Sequence, residues 1–373
     1  MKFAIIRKEC SFRMGGAERY AANLCRALLQ LGHGVHVLAE RCDDDIHPDI
    51  LHIPIHVDHL TSWSKNNSFN RNSQAALKGI RADAVIALSR SFPADAFRVS
   101  DPLHDFWMSI RYPGRFHRFL QRLNPRHRAI LALEKGIFDP ANTRFIITNS
   151  ELSKRLIPET HPYPPDRIHV IYNGVDLKKF CMPCEPRINP DGASVQLLFV
   201  GQDFKRKGLM QLVHALAIVR KHGFLFHLRV IGRDKPRPYQ VLATRLGLSE
   251  MICFEGASHS IQEAYQAADL LVFPSLYDPF ANVCLEALAC GLPVLTTTTN
   301  GSSEVITEGV DGYVVDGAPA TLPNLLAEKI RKFCELPATR RQAMRESART
   351  KSENFTIEAN AIKVVELLSR KFS

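Results

Sequence analysis

Two cations and two carboxylates in the second half of the chain have the types and spacing for chemistry on a charged sugar derivative. Asp278 and Glu286 bracket seven residues, Pro-Phe-Ala-Asn-Val-Cys-Leu, and Arg206-Lys207 lies in the polar turn Gly201-Gln-Asp-Phe-Lys-Arg-Lys-Gly208. A helix opens near Phe280, and its free N–H groups, at Phe280, Ala281, Asn282 and Val283, attract anions. Carboxylates belong beside an anion site only when a neutral, hydroxyl-rich group separates them from the anion. A sugar nucleotide, two sugars on either side of a diphosphate, has that make-up. Arg206 and Lys207 precede another helix, where cations oppose the helix dipole unless an anion arrives. A diphosphate would be that anion, bound bidentately by the guanidinium and as a point charge by the ammonium. Glu286, crowded by Val283, Leu285, Ala287 and Leu288, is suited to accept ribose hydroxyls, and Asp278 those of a hexose. The plainer alternatives are a solvated basic turn and an exposed helix carboxylate.

These residues need elements to hold them. Leu270–Phe273 reads as a buried strand that Pro274 ends, because proline has no N–H to give the ladder. Cys290-Gly291 closes the helix after it. The alternation begins earlier, with strands at 195–200, 226–231 and 251–254 and helices at 209–221, 239–246 and 261–268. It continues with strands at 294–298 and 313–315 and helices at 321–335, 338–352 and 356–371. The first half alternates too. Phe3–Arg7 is a strand, Met14-Gly15-Gly16-Ala17-Glu18-Arg19 leads into a helix with Tyr20, Ala21, Leu24 and Leu28 at helical spacing, and Val35–Ala39 is the next strand. The glycine pair lets backbone approach a ligand, although no dinucleotide fingerprint accompanies it. Further strands fall at 50–57, 84–88, 145–150 and 168–172, whereas the polar stretch Asn66–Asn72 reads as a loop. Two such halves predict an α/β protein of two Rossmann-like doubly wound domains facing a cleft.

Length agrees with two domains, since 373 residues with 45% apolar content supply two cores. Phe180–Gly192, with its prolines, glycines and the pair Cys181-Met-Pro-Cys184, reads as the linker; the cysteines have metal spacing but no second pair, and are taken as incidental. Nine cysteines scattered through apparent strands and helices suit a reducing, cytoplasmic setting. The first apolar run is too short for a signal peptide, and no run approaches a spanning helix. Net charge is +10, and residues 1–180 hold 26 Lys+Arg against 18 Asp+Glu, so the first half is the side expected to meet an anionic partner. Much of that charge is concentrated. Phe106–Leu133 carries Arg111, Arg115, Arg118 and Arg122 among others, interleaved with Trp107, Phe116, Phe119 and Leu123, and has no acidic residue. Cations and aromatics on helical pieces, here broken at Pro113 and Pro125, mark a surface that lies on anionic lipid. A solvated basic helix is the alternative; nucleic-acid binding lacks a recognised module.

Taken together, the sequence resembles a retaining glycosyltransferase of family 4, with the two-domain GT-B fold. The carrying residues are Met14–Arg19, Asn173-Gly-Val-Asp176, Val200–Gly208, Val230-Ile-Gly-Arg-Asp234 and Asp278 through Val294. Within that family it is most similar to the lipopolysaccharide core glucosyltransferases. The resemblance implies an acceptor-binding domain over residues 1–180, a nucleotide-sugar domain over 181–355, and a final helix, about 356–373, packing back on the first domain. It implies transfer of a hexose from UDP-glucose to an inner-core heptose on a lipid-linked saccharide, at the inner face of the cytoplasmic membrane, with neither cofactor nor metal. Arg206 and Lys207 would meet the leaving diphosphate, and the backbone at Gly15 and Gly16 would approach the donor. Asp278 would hold the hexose and Glu286 the ribose. Asn173 and Gly174 would lie near the hinge, and Asp101 near the acceptor, with His104 a weaker candidate. Asp101 before Pro102 also fits a helix N-cap. The family's usual Glu-x7-Glu is here Asp278-x7-Glu286, which leaves another UDP-hexose or another glycolipid open. A non-catalytic nucleotide-sugar or nucleic-acid-binding protein is the alternative of a different class.

Overall fold

Strands that read as unbroken apolar runs are buried on both faces, the pattern of a parallel sheet covered by helices. The computed structural model describes residues 1–112, 114–184, 190, 192–257 and 260–370. It divides into two compact units, Met1–Asn173 with the chain from Ile357 onward, and Gly174–Thr356.

The first unit carries strands β1 (Lys2–Ile6), β2 (Gly34–Ala39), β3 (Leu51–Pro54), β4 (Ala84–Ala87), β5 (Ala94–Val99), β6 (Thr143–Thr148) and β7 (Ile168–Val170). They form one parallel sheet in the order β3-β2-β1-β4-β5-β6-β7. The order reverses beside β1, which places the topological switch point at its C-terminal end. Helices α1 (Gly16–Gln30), α2 (Ser62–Leu77), α3 (His104–Arg111), α4 (Arg115–Arg122), α5 (Pro125–Ile137) and α6 (Glu151–Thr160) connect them. The polar stretch 66–72, expected as a loop, lies inside α2. A reciprocal cap between Thr61 and Ser64 starts that helix, and Phe69, fully buried with Ile6, Leu38 and Ile55, anchors it. Its asparagines are polar because they bind neighbouring segments: Asn70 Oδ1 accepts the Phe92 N–H at 3.0 Å and Asn72 donates to the His56 carbonyl at 2.8 Å. Pro113 lies outside the described residues.

The second unit carries β8 (Val195–Val200), β9 (Phe226–Ile231), β10 (Ile252–Gly256), β11 (Leu270–Phe273), β12 (Val294–Thr297) and β13 (Gly312–Val315). Their order is β10-β9-β8-β11-β12-β13, all parallel. Here the switch point falls between β8 and β11, adjacent in the sheet although 70 residues apart in the chain. Helices α7 (Leu209–Lys221), α8 (Arg237–Arg245), α9 (Ile261–Ala267), α10 (Asn282–Ala289), α11 (Leu322–Cys334) and α12 (Ala338–Ser352) cover it, and the chain then returns to the first unit as α13 (Ile357–Ser369), packed on α1. The division after Asn173 precedes the linker read at 180–192. Phe180 is buried and meets the Tyr265 ring, and the Cys181 carbonyl accepts from Gln266 at 2.7 Å, so the start of that stretch packs on the second unit. Residues 185–189 and 191 of it lie outside the described residues. All nine cysteines are free thiols.

Candidate active site

Two loops at the switch point of the second sheet, after β8 and after β11, are fastened into one body. Gly208 adopts φ +78°, and a Cβ there would collide with the Pro274 carbonyl, so only glycine lets the turn lie against the other loop. The Arg206 carbonyl accepts the Leu276 N–H at 2.8 Å and the Ser275 hydroxyl at 3.3 Å. This brings Arg206 and Lys207 together with Asp278. The Lys207 ammonium pairs with Asp278 Oδ2, Arg206 Nη1 stands 3.4 Å from the same oxygen, and Arg206 Nε reaches Asp203 at 3.1 Å. Phe273 floors the site, its ring centroid 4.9 Å from the ammonium.

Only the centre of this cluster is desolvated: the side chains of Lys207 and Asp278 are 12% and 9% exposed, against 22% for Arg206 and 50% for Asp203. Burial pushes the Asp278 carboxyl up, but Lys207 and Arg206 outweigh it and hold the group below the ordinary carboxylate range. The site is therefore a buried ion cluster in which the cations are held in place by a carboxylate, rather than a solvated basic turn. It also gives Asp278 a second task. Its Oδ1 accepts the Phe280 N–H at 3.1 Å, so that N–H, expected to face an anion, is capped from within.

The Ala281 N–H is likewise taken, by Asn300 Oδ1 at 3.2 Å. Asn300 is fully buried, gives its amide to Thr296 at 2.9 Å, and pairs backbone with Asp278. It escaped sequence reasoning because it ends a polar run, Thr296–Asn300, that matches no motif. The helix α10 begins at Asn282, two residues after the expected start, and Phe280 is buried in the preceding loop. Glu286, half-buried on α10, accepts from the Tyr265 hydroxyl at 2.9 Å.

In the first unit, Gly15 is the N-cap of α1 and Gly16 its first residue. A Cβ on Gly15 would crowd the Glu18 carboxylate, which turns back to pair with Arg7 at 2.6 Å. Asn173 is the last residue of this unit and Gly174 the first of the other. The Asn173 amide oxygen accepts from Arg98, whose buried guanidinium lies 3.6 Å over the Tyr20 ring. Asp101 is exposed and lies 3.3 Å from Arg90; Leu103, not Asp101, occupies the N-cap of α3. Its neighbour His104 is buried, with Nε2 2.9 Å from His127 Nδ1, and burial with nearby Arg90 lowers its pKa to about 4.

On the basic helices, α4 buries none of its residues: Phe116 is 76% exposed and Phe119 60%, beside exposed Arg115 and Arg122. Arg111 is exposed, Arg118 is half-buried and donates to the Tyr112 carbonyl at 3.3 Å, and Arg122 pairs with Asp105 at 2.5 Å. Trp107 stands apart from this set, half-buried and stacked on His104. Among the described residues, no helix is long and apolar enough to cross a membrane.

Comparison with known proteins adds to this geometry. Residues 14–179 match the family described as Glycosyltransferase Family 4, and residues 186–351 match Glycosyl transferases group 1. The lipopolysaccharide glucosyltransferase WaaG of Escherichia coli (strain K12) is 27% identical over 316 residues, 82% of each chain. A D-inositol 3-phosphate glycosyltransferase of Thermobispora bispora is 26% identical, covering 90% of this chain and 86% of its own. A crystal structure of WaaG superposes with a TM-score of 0.80 at 25% identity, over 98% of this chain and 99% of that one.

Proposed function

Since this chain belongs to glycosyltransferase family 4 and has the GT-B fold of two Rossmann-like domains, we propose that it moves glucose from UDP-glucose, with retention, to a heptose of the lipopolysaccharide inner core. The observation that carries the reading is the buried Lys207–Asp278–Arg206 cluster beyond the ends of β8 and β11. A departing diphosphate develops negative charge, and cations already fixed in a desolvated site stabilise it without reorganisation. Asp278 keeps the two cations in register until the diphosphate takes its place as their partner. Its freed oxygen then accepts hexose hydroxyls, while Glu286, set by Tyr265, accepts those of the ribose.

Retention follows from attack on the face the diphosphate leaves. The bond from the anomeric carbon to the phosphate oxygen breaks, the acceptor oxygen bonds on the same side, and the acceptor proton passes to the departing phosphate oxygen. Arg206 and Lys207 carry the charge that a metal carries in other transferases. The exposed Phe116, Phe119, Arg115 and Arg122 of α4 support contact with the anionic membrane that presents the lipid-linked acceptor. A second reading keeps this chemistry and changes the hexose, on the ground that the carboxylate at 278 is one methylene shorter than the family's glutamate.

Purified protein supplied with UDP-glucose and membranes bearing inner-core acceptor should release UDP and label the lipopolysaccharide. UDP-galactose and UDP-N-acetylglucosamine in parallel distinguish the second reading. If none of these donors is turned over, the proposal fails.

A further inference from the structure

The loop that carries Asp278 rests on a run of side chains that the reaction described so far does not use. Thr296 and Thr297 end β12, the neighbour of β11 in the sheet, and Thr298, Thr299 and Asn300 carry the chain onward. Three of the hydroxyls donate into the loop after β11: Thr296 to the Phe273 carbonyl at 2.8 Å, and Thr297 and Thr299 to the Ser275 carbonyl, each at 2.6 Å. Backbone then takes over from side chain. The Asp278 N–H donates to the Thr299 carbonyl at 3.0 Å, and the Asp278 carbonyl accepts the Gly301 N–H at 2.9 Å, so the residue is gripped on both sides.

Asn300 completes this mould. Its amide uses its full capacity, two bonds accepted and two donated. Oδ1 accepts the N–H groups of Ala281 and Ser302, each at 3.2 Å, while Nδ2 donates to Thr296 Oγ1 at 2.9 Å and to Cys284 Sγ, in the first turn of α10, at 3.6 Å. Both partners of the oxygen are N–H donors, so the amide fits one way round only. A polar group with no exposed surface is costly to bury, and when every bond is made it specifies a single arrangement of its neighbours. The arrangement specified here is the turn 278–281. An aspartate has one rotatable bond fewer than the family's glutamate, so the backbone behind it decides where its carboxylate stands.

We propose that Asn300 is a positioning residue for the donor hexose, acting through the turn that it fixes and oriented in its own place by Thr296. It sets where Asp278 stands when the hexose hydroxyls arrive, and it withholds the Ala281 N–H from the diphosphate. The contacts assigned to uridine and diphosphate, at Glu286, Arg206 and Lys207, depend on it less. This role rests on the transferase reading above.

The test is the ratio of the dissociation constants for UDP-glucose and UDP, measured by calorimetry on the full-length protein and its variants. If UDP-galactose or UDP-N-acetylglucosamine is the donor turned over, it replaces UDP-glucose in the titration. Asn300→Ala should raise the ratio about 10-fold, the effect of one misplaced hydrogen-bonding group, while UDP itself stays within about 3-fold of the parent. Thr296→Val, which removes the hydroxyl that holds the amide, should shift the ratio the same way by about 3-fold, and it carries the test if Asn300→Ala does not fold. Thr298→Val should leave the ratio unchanged, because that hydroxyl is turned to Asp316 at 2.7 Å. Equal weakening of UDP and UDP-glucose in Asn300→Ala, as a merely structural role would give, overturns the assignment. So does an unchanged ratio in both Asn300→Ala and Thr296→Val. An unmodified protein that turns over its donor while the ratio stays fixed in the variants defeats the positioning role alone. An unmodified protein that neither binds nor turns over any of the three donors defeats the transferase reading, and this role with it.

Discussion

Lys207→Ala separates the catalytic work of the cluster from its structural work. Removing one partner of a buried ion pair commonly costs about 3–5 kcal/mol, because the other charge is stranded. Asp278 is not stranded here: Arg206 remains 3.4 Å from Oδ2, and the Phe280 N–H still donates to Oδ1 at 3.1 Å. One charge-assisted hydrogen bond out of three is lost, which sets the expected destabilisation at about 2 kcal/mol. The effect on turnover should be larger in kind. A fixed donor aimed at developing charge is worth about 100- to 1000-fold in kcat, and a lone Arg206, tethered to Asp203 as well, cannot supply the second contact. The measurements are urea unfolding of both proteins and steady-state release of UDP from UDP-glucose with acceptor membranes. A folded variant with kcat reduced by about two orders of magnitude or more is the expected result. A folded variant whose kcat stays within a few-fold of the parent refutes the leaving-group role.

Two further outcomes follow from the first unit. Changing Arg111, Arg115, Arg118 and Arg122 together to Gln should weaken binding to anionic vesicles. At about 1 kcal/mol for each free cation, and discounting Arg118 and Arg122 for their contacts within the chain, the loss is about 2–3 kcal/mol, or roughly 100-fold; unchanged co-sedimentation would contradict it. His104 provides a pH test. Its folded pKa of about 4 lies below the ordinary 6.5, so the unfolded chain binds the extra proton between these values. Stability is full above pH 6.5 and is lost as the pH falls toward 4. His104→Gln should flatten that decline by an amount on the order of 1–3 kcal/mol; parallel unfolding curves for the two proteins would rule it out.

The two sheets were readable in the chain because their strands are short apolar runs, ended in the second sheet by Gly201, Gly232 and Pro274, and because Leu24 and Leu28 or Leu212 and Leu216 recur at helical spacing. The stretch 66–72 misled for a definite reason. Its polar side chains are spent on tertiary hydrogen bonds to the ends of β1 and β4, and a single buried phenylalanine is too little to register as periodicity. At the candidate site, the residue types were legible but their pairing was not. Lys207 and Asp278 are 71 residues apart, and only the strand order, which sets β8 against β11, makes them neighbours. Asn300 was invisible on the same ground, since nothing in a run of threonines announces that the next side chain braces a helix.

The contact between Gly208 and the Pro274 carbonyl has a consequence for engineering. Two segments that interlock backbone to backbone behave as a single removable cartridge. An attempt to transplant a different sugar preference by exchanging 274–286 alone would set a foreign backbone against the native glycine turn. Chimeras that carry 201–208 and 274–286 from the same parent should stay soluble and active where half-exchanges misassemble.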